Sequence, residues 1–224
     1  MDVSAILLAA GQGTRMRSAL PKVLHPLLGR PMVQYAVEAA TRVTGNKPVV
    51  IVGHGAEQVR NALGNTADFV LQEPQLGTGH AVQQAEAALR GKSDLVLVTY
   101  ADMPLLTAET MQKIIKIQSN HPGPVTLLTL MAEDARGFGR IVRDGNGWVQ
   151  AIVEEAQATP EQLAIKELNA SVYCFSSDWL WEALKQVPLS PKGEYYLTDV
   201  VAVAVSQGRS VQAHILEDAS EAIG

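Results

Sequence analysis

The sequence predicts an α/β fold with a Rossmann-like, mostly parallel mixed sheet flanked by helices. Three observations carry this expectation. Apolar runs of strand length alternate with segments of helical period through the first half of the chain. One run, residues 95–99, is apolar almost throughout, as strands covered on both faces are. A loop containing Gly11 and Gly13 directly follows the first apolar run, on the edge where open parallel sheets bind ligands.

The elements follow in order. Residues 3–8 read as a buried strand, followed by the glycine loop. Residues 32–41 read as a helix with Met32, Tyr35, Ala36, Ala39 and Ala40 on one face. Residues 48–52 form the next strand, closed by Gly53. Residues 57–63 form a short helix with Val59, Ala62 and Leu63 inward, and residues 69–71 a short strand. Residues 78–90 read as one helix with an apolar stripe of Ala81, Ala85, Ala88 and Leu89. After strand 95–99, Met111, Ile114, Ile115 and Gln118 mark a helix capped by Thr107. In the second half, strands are expected at 125–130, 139–142, 148–153 and 172–175, with Asp144-Gly145-Asn146-Gly147 as a hairpin turn. Helices 178–184 and 198–207 and a late strand, 211–214, complete an extension of the same sheet with a sugar-sized lid region.

With 224 residues, 47% of them hydrophobic, the chain can bury roughly 70–75% of its unfolded surface without a disulfide or metal. A single domain over 1–224 is expected, with two small domains as the alternative. The one cysteine, Cys174, reads as a buried thiol, and its lack of a pair points to a reducing compartment, the cytoplasm. No signal peptide and no bilayer-spanning run is evident, so no membrane partner is expected. The net charge of -5 argues against a broad nucleic-acid surface, but local charge decides whether a small anion binds.

Local charge is unusual between Asp2 and Glu38, where no acidic residue occurs. That interval holds Gly11, Gly13, Thr14, Arg15 and Lys22. Bare amides among cations suit a polyanion such as a nucleoside triphosphate; the alternative is a tight turn with solvated cations. The loop lacks the G-x-x-x-x-G-K-[ST] pattern, and Met16 stands where a dinucleotide fingerprint needs its third glycine. Asp102 ends the strand 95–99 and should meet Gly11 on one edge. Its carboxylate suits Mg²⁺, or else caps the turn before Pro104. Gln72, at the end of the short strand 69–71, reads as an ordinary strand-end polar residue. Thr78 starts a helix, so it also reads as an N-cap. The five histidines show no zinc-ligand spacing and read as structural or surface residues. No G-x-S-x-G or Cys-His nucleophile is evident, and Trp179 and Trp181 read as core or interface.

The ordered series LAAGQGTRM, PKVLHPLLGRPM, LQEPQLGTGHA, YADMPLL, GFGRI, IVEE, ELNAS and GEYYLTD resembles the nucleotidyltransferase domain of bacterial N-acetylglucosamine-1-phosphate uridylyltransferases, a family of sugar-nucleotide pyrophosphorylases. The resemblance covers nearly the whole chain and implies the nucleotide-diphospho-sugar transferase fold. It implies Mg²⁺-dependent reaction of UTP with N-acetylglucosamine 1-phosphate to give UDP-N-acetylglucosamine and pyrophosphate, in peptidoglycan and lipopolysaccharide precursor synthesis. It further implies nucleotide contacts from Leu8, Ala9, Ala10, Gly11, Gly13 and Thr14, with Gln72, Gly77 and Thr78 at the uracil. Arg15 and Lys22 would be catalytic, holding the triphosphate and stabilising charge on the departing pyrophosphate. Asp102 would hold the metal. Tyr100, Gly139, Glu154, Asn169, Tyr196 and Thr198 would line the sugar site, where Glu154 and Asn169 also read as structural hydrogen-bonding residues.

The sequence departs from the family where glycine usually precedes Asp102, here Ala101, and where threonine and glycine follow Asn169, here Ala170 and Ser171. In the family a metal-holding asparagine, a helix and a left-handed β-helix acetyltransferase domain follow the last residues seen here. That domain is absent from this chain, either as a cut or in a naturally short relative. Reduced or absent turnover is therefore expected, with a homotrimeric parent and a monomer for this stretch. Two other readings stay open: an enzyme for another sugar 1-phosphate, and a nucleotide-sugar-binding module without catalysis.

Overall fold

The computed structural model describes residues 1–13, 16–135 and 137–224. Thr14 and Arg15, both expected at the phosphates, lie outside the described residues.

The strands in order are β1 (Val3–Ala9), β2 (Pro26–Leu27), β3 (Arg30–Pro31), β4 (Val49–Val52), β5 (Asp68–Leu71), β6 (Leu95–Tyr100), β7 (Val125–Met131), β8 (Arg140–Arg143), β9 (Val149–Val153), β10 (Glu167–Ser176) and β11 (Val211–Ile215). The helices are α1 (Met32–Thr44), α2 (Ala56–Leu63), α3 (Thr78–Gln83), α4 (Glu86–Leu89), α5 (Ala108–Asn120), α6 (Pro160–Leu163), α7 (Ser177–Leu184) and α8 (Val200–Ser206). The main sheet has the order β11-β7-β10-β6-β1-β4-β5, with β8 paired to β10 and β9 paired to β8. Strands β6, β1, β4 and β5 are mutually parallel, and β10 runs antiparallel between β6 and β7. This is the mixed, mostly parallel sheet the alternating pattern predicts.

Side chains alternate across a strand, and here both faces are apolar. Ala5, Leu7 and Ala9 join Leu97, Val50 and Met111 in one core, whereas Ile6 and Leu8 join Val98, Ile51, Trp181 and Val200 in the other. That double burial explains the unbroken apolar runs in β1, β4 and β6. Cys174 belongs to the first core, and burial pushes its thiol pKa up. Trp181 is fully buried, whereas Trp179 packs at the edge of the second core.

Several elements differ from expectation. Helix α1 runs to Thr44, a turn beyond residue 41, because Arg42, Val43 and Thr44 carry no stop signal and Gly45 at φ +71 ends it. Its buried stripe is Val33, Ala36, Val37 and Ala40, shifted from the predicted face. The single helix expected over 78–90 breaks into α3 and α4. Ala85 N–H bonds to Val82 O, tightening the turn, and the Gln84 amide bonds to His80 O at 3.1 Å, competing for a helix carbonyl. Ala81, Ala85 and Leu89 stay buried nonetheless. Strand β10 is ten residues, not four, with an irregular register between Asn169 and Tyr173, where Ser171 takes φ +61. The helix expected over 198–207 starts with a 3-10 turn, Leu197–Asp199, before α8.

Thr107 caps α5 by accepting Thr110 N–H at 3.2 Å, as predicted. Asp144 Oδ1 accepts from Asn146 N and Trp148 N, closing the β8–β9 hairpin at the predicted turn. Among the described residues no helix is long and apolar enough to cross a membrane.

Candidate active site

Parallel pairing of β1 with β6 sets Leu8 opposite Tyr100. The chain segments leaving both strands therefore emerge on one edge, and Ala101 N–H bonds to Leu8 O at 3.0 Å. Gly11 and Asp102 meet there, as the sequence predicts. Two clefts join at this edge. The larger, about 500 Å³, is lined by Leu8, Ala9, Ala10, Gly11 and Gly13, with Gln72 and Gly77 on its far side. The smaller, about 270 Å³, is lined by Gly139, Glu154, Asn169 and Thr198. Lys22, Thr78, Tyr100 and Asp102 border both clefts.

The glycine loop brings its cation to the junction by close packing. Gly13 has φ +59, and a Cβ there would lie 2.8 Å from Lys22 Cβ, so only glycine lets the loop fold against Lys22. Lys22 Nζ then lies 2.6 Å from Asp102 Oδ2, with Asp102 the more buried partner. Gly77 is constrained likewise: φ is +94, and a Cβ would lie 2.6 Å from Tyr195 O. Gly77, not Thr78, is the cap of α3. The Thr78 hydroxyl instead accepts Leu197 N–H at 2.9 Å, which ties α3 to the turn carrying Thr198.

Gln72 is buried at the end of the β5 segment, held by its own N–H to Val52 O at 2.8 Å. Its Nε2 donates to Gly77 O at 2.9 Å and lies 3.1 Å from His80 Nδ1.

In the smaller cleft, Thr198 Oγ1 donates to Glu154 Oε1 at 3.0 Å, and Asn169 Nδ2 donates to the Tyr173 hydroxyl at 2.7 Å. Asn169 Oδ1 accepts Ser171 N–H at 3.0 Å. This local bond holds Ser171 in the left-handed region, where the resembling family carries glycine. Burial, then the charges of Glu154 and Asp102, push the Tyr100 phenol pKa up, so it stays a neutral donor. Burial, then Glu154, also raises the Asp199 carboxyl. The C-terminal turn lies at this edge as well. Glu221 carboxylate accepts from Thr107 N, Thr107 Oγ1 and Thr110 Oγ1, all at 2.9 Å, and Gly224 lies against the main chain of Asp102.

A family model for the MobA-like NTP transferase domain matches residues 5–209. The chain belongs to the MobA-like NTP transferase family. Over 225 residues this transferase domain is 48% identical to the bifunctional protein GlmU of an Exiguobacterium species, covering 100% of this chain and 50% of that protein. Over 221 residues it is 44% identical to GlmU of Bacillus subtilis, covering 98% and 48%. The chain thus spans about half the length of the curated relatives it matches. Among solved structures, a putative glucose-1-phosphate thymidylyltransferase from Bacillus anthracis superposes with a TM-score of 0.77 at 19% identity, over 97% of this chain and 90% of that one. A UDP-glucose pyrophosphorylase complexed with UDP-glucose gives 0.74 at 19%, over 96% and 90%. These two establish the fold.

One residue expected at the sugar is placed elsewhere in this transferase domain. Tyr196 borders neither cleft. The turn after it delivers Leu197 and Thr198 to the smaller cleft, while the Tyr196 hydroxyl sits with Ser190 and Glu194, its pKa raised first by burial. Conversely, Tyr173 and Ser171 line the smaller cleft and Gln75 and Glu194 the larger, and sequence reasoning assigned none of them. For the first two, the period-2 spacing with Asn169 was the available signal.

Proposed function

We propose that this domain transfers a uridylyl group from UTP to N-acetylglucosamine 1-phosphate, releasing pyrophosphate. The observation that carries this reading is the Lys22–Asp102 pair at the junction of two clefts with different chemistry. The larger cleft offers a main-chain loop and a buried glutamine amide, suited to a nucleotide. A Cβ at Gly11 would meet no protein atom within 4 Å, so a ligand can approach that backbone closely. The smaller cleft offers a carboxylate, an amide and a phenol, suited to sugar hydroxyls and an acetamido group. The 44–48% identity to GlmU proteins over this half supports the choice of substrates.

A sugar-phosphate oxygen attacks the α-phosphorus of UTP. The new P–O bond forms as the bond to the β-phosphate bridge breaks, and its electrons leave with pyrophosphate. The nucleophile is already ionised near neutral pH, so no base is required. Positioning and charge neutralisation supply the rate. Lys22 offers a point charge to the phosphates, and Arg15 is assigned the same task. Asp102 fits Mg²⁺, which takes one or two carboxylates and completes its shell with phosphates and water. When bound there, the ion would neutralise phosphate charge. The buried, unpaired Cys174 supports a cytoplasmic setting.

The test is pyrophosphate release with Mg²⁺, each of the four nucleoside triphosphates and a panel of sugar 1-phosphates. UTP with N-acetylglucosamine 1-phosphate is expected to react fastest, and Asp102→Ala to abolish the signal. A faster rate with glucose 1-phosphate would reassign the sugar, and UDP-N-acetylglucosamine binding without pyrophosphate release would make this a binding module.

A further inference from the structure

We propose that His80 is a positioning residue for base choice, holding the Gln72 amide so that its oxygen, not its nitrogen, meets the edge of the nucleobase. The inference rests on the uridylyl reading above and extends it to a residue that touches no substrate.

The argument is a count of protons. Gln72 Nε2 has two hydrogens. One goes to Gly77 O at 2.9 Å, and the other points to His80 Nδ1 at 3.1 Å. Both donors are therefore used inside the protein. Gln72 Oε1 has no hydrogen-bond partner among the described residues, nor is it among the sealed, unpartnered polar atoms, so it is open to the cleft that Gln72 lines. An acceptor there pairs with the N3–H of uracil and opposes the bare N3 of cytosine. Sites built to bond a given N–H discriminate strongly against analogues that lack it, because a buried polar group is then left unpaired.

The arrangement works only while His80 Nδ1 accepts. A protonated ring would set N–H against the amide hydrogens of Gln72 on one side and of Gln84 on the other, since Gln84 Nε2 lies 3.1 Å from His80 Nε2. A neutral ring has one acceptor nitrogen. Each amide also donates to a main-chain carbonyl, Gln72 to Gly77 O and Gln84 to His80 O, but Gln72 is 4% exposed, whereas Gln84 is half-buried and can exchange its bond to His80 O for water when it turns its amide to present oxygen to Nε2–H. The acceptor therefore falls at Nδ1. Burial lowers the pKa of His80, consistent with a neutral ring.

The experiment is equilibrium binding of UTP and of CTP, each with Mg²⁺, to the chain and to three variants, with circular dichroism to confirm folding. The unaltered chain is expected to prefer UTP. His80→Leu should reduce the UTP:CTP ratio about tenfold or more, because the amide is then held by Gly77 O alone and its oxygen is no longer fixed on the base. His80→Asn puts an oxygen near the place of Nδ1 and should restore the ratio. His80→Gln keeps a polar group but places it at Nε2 distance, so it should behave like His80→Leu and stands in for it if the leucine variant does not fold. Equal loss for both nucleotides, with an unchanged ratio in folded variants, would overturn the role of His80 alone. No preference for UTP in the unaltered chain would overturn the uridylyl reading and this inference with it.

Discussion

Lys22 Nζ and Asp102 Oδ2 stand 2.6 Å apart at the point where the two clefts meet. One residue comes from the turn after the glycine loop and the other from the end of β6, so the pair joins the glycine loop to the central strand. A magnesium-bound triphosphate has partners for both, phosphate oxygens for the ammonium and the metal for the carboxylate. Function and stability should therefore separate here. Lys22→Ala is expected to lower kcat/KM by about 10²–10³-fold, the cost of removing one preorganised charge donor. Lys22 is one-third exposed, so the pair itself contributes only about 0–1 kcal/mol to folding. Pyrophosphate release and a thermal melt on the same variant check this; a large drop in Tm would show the pair to be structural.

Gly77 supports the far wall of the larger cleft. With φ +94 and main-chain atoms of Tyr195 at 2.6 and 2.9 Å from any Cβ, alanine there requires both a strained backbone and displacement of neighbouring backbone. Gly77→Ala should cost about 2–4 kcal/mol of stability and weaken UTP binding, because Gly77 O anchors the Gln72 amide. Denaturant unfolding and nucleotide titration measure the two effects. Unchanged UTP affinity in a folded variant would disconnect Gly77 from the base.

Glu154 and Thr198 form one unit in the smaller cleft through a 3.0 Å hydrogen bond. Thr198→Val removes the donor but keeps the shape. Freed of its partner, Glu154 can turn away from a sugar hydroxyl. KM for the sugar phosphate should rise several-fold, with KM for UTP nearly unchanged. The two Michaelis constants, measured separately, test the division of labour between the clefts; an equal rise in both would argue against it.

The fold was legible wherever burial on both faces made strands continuously apolar, as in β1, β4 and β6. It was hidden in β10, because Glu167, Asn169 and Ser171 face polar surroundings and mask six residues of strand. The meeting of the glycine loop with Asp102 was legible because Leu8 to Gly13 are consecutive and Asp102 ends a neighbouring strand, so adjacency in the sheet follows from topology. Tyr196 borders neither cleft because a 3-10 turn begins just after it and presents Leu197 and Thr198 instead. His80 passed as structural because no spacing rule reveals an imidazole between two glutamine amides; His80 and Gln84 are a turn apart, but Gln72 reaches them only through the fold.

Glu167 joins three strands of the second half. Its Oε1 and Oε2 receive Arg143 Nη2 and Nε, each at 2.7 Å, and Oε1 also accepts Thr129 Oγ1–H at 2.9 Å. Burial pushes this carboxyl up, but the bonds from Arg143 and Thr129 outweigh burial and leave its pKa below the usual glutamate value of 4.5. The folded state thus binds fewer protons than the unfolded chain around and below that value. The resulting stability is complete above pH 4.5 and is lost as pH falls through the folded-state pKa. Glu167→Gln keeps the Thr129 bond but lacks the charge. It should cost about 1–3 kcal/mol at neutral pH and flatten the decline of stability as pH falls below the usual glutamate value. Urea unfolding at a series of pH values decides it: a variant whose acid slope matches that of the unaltered chain would remove Glu167 as the source of that slope.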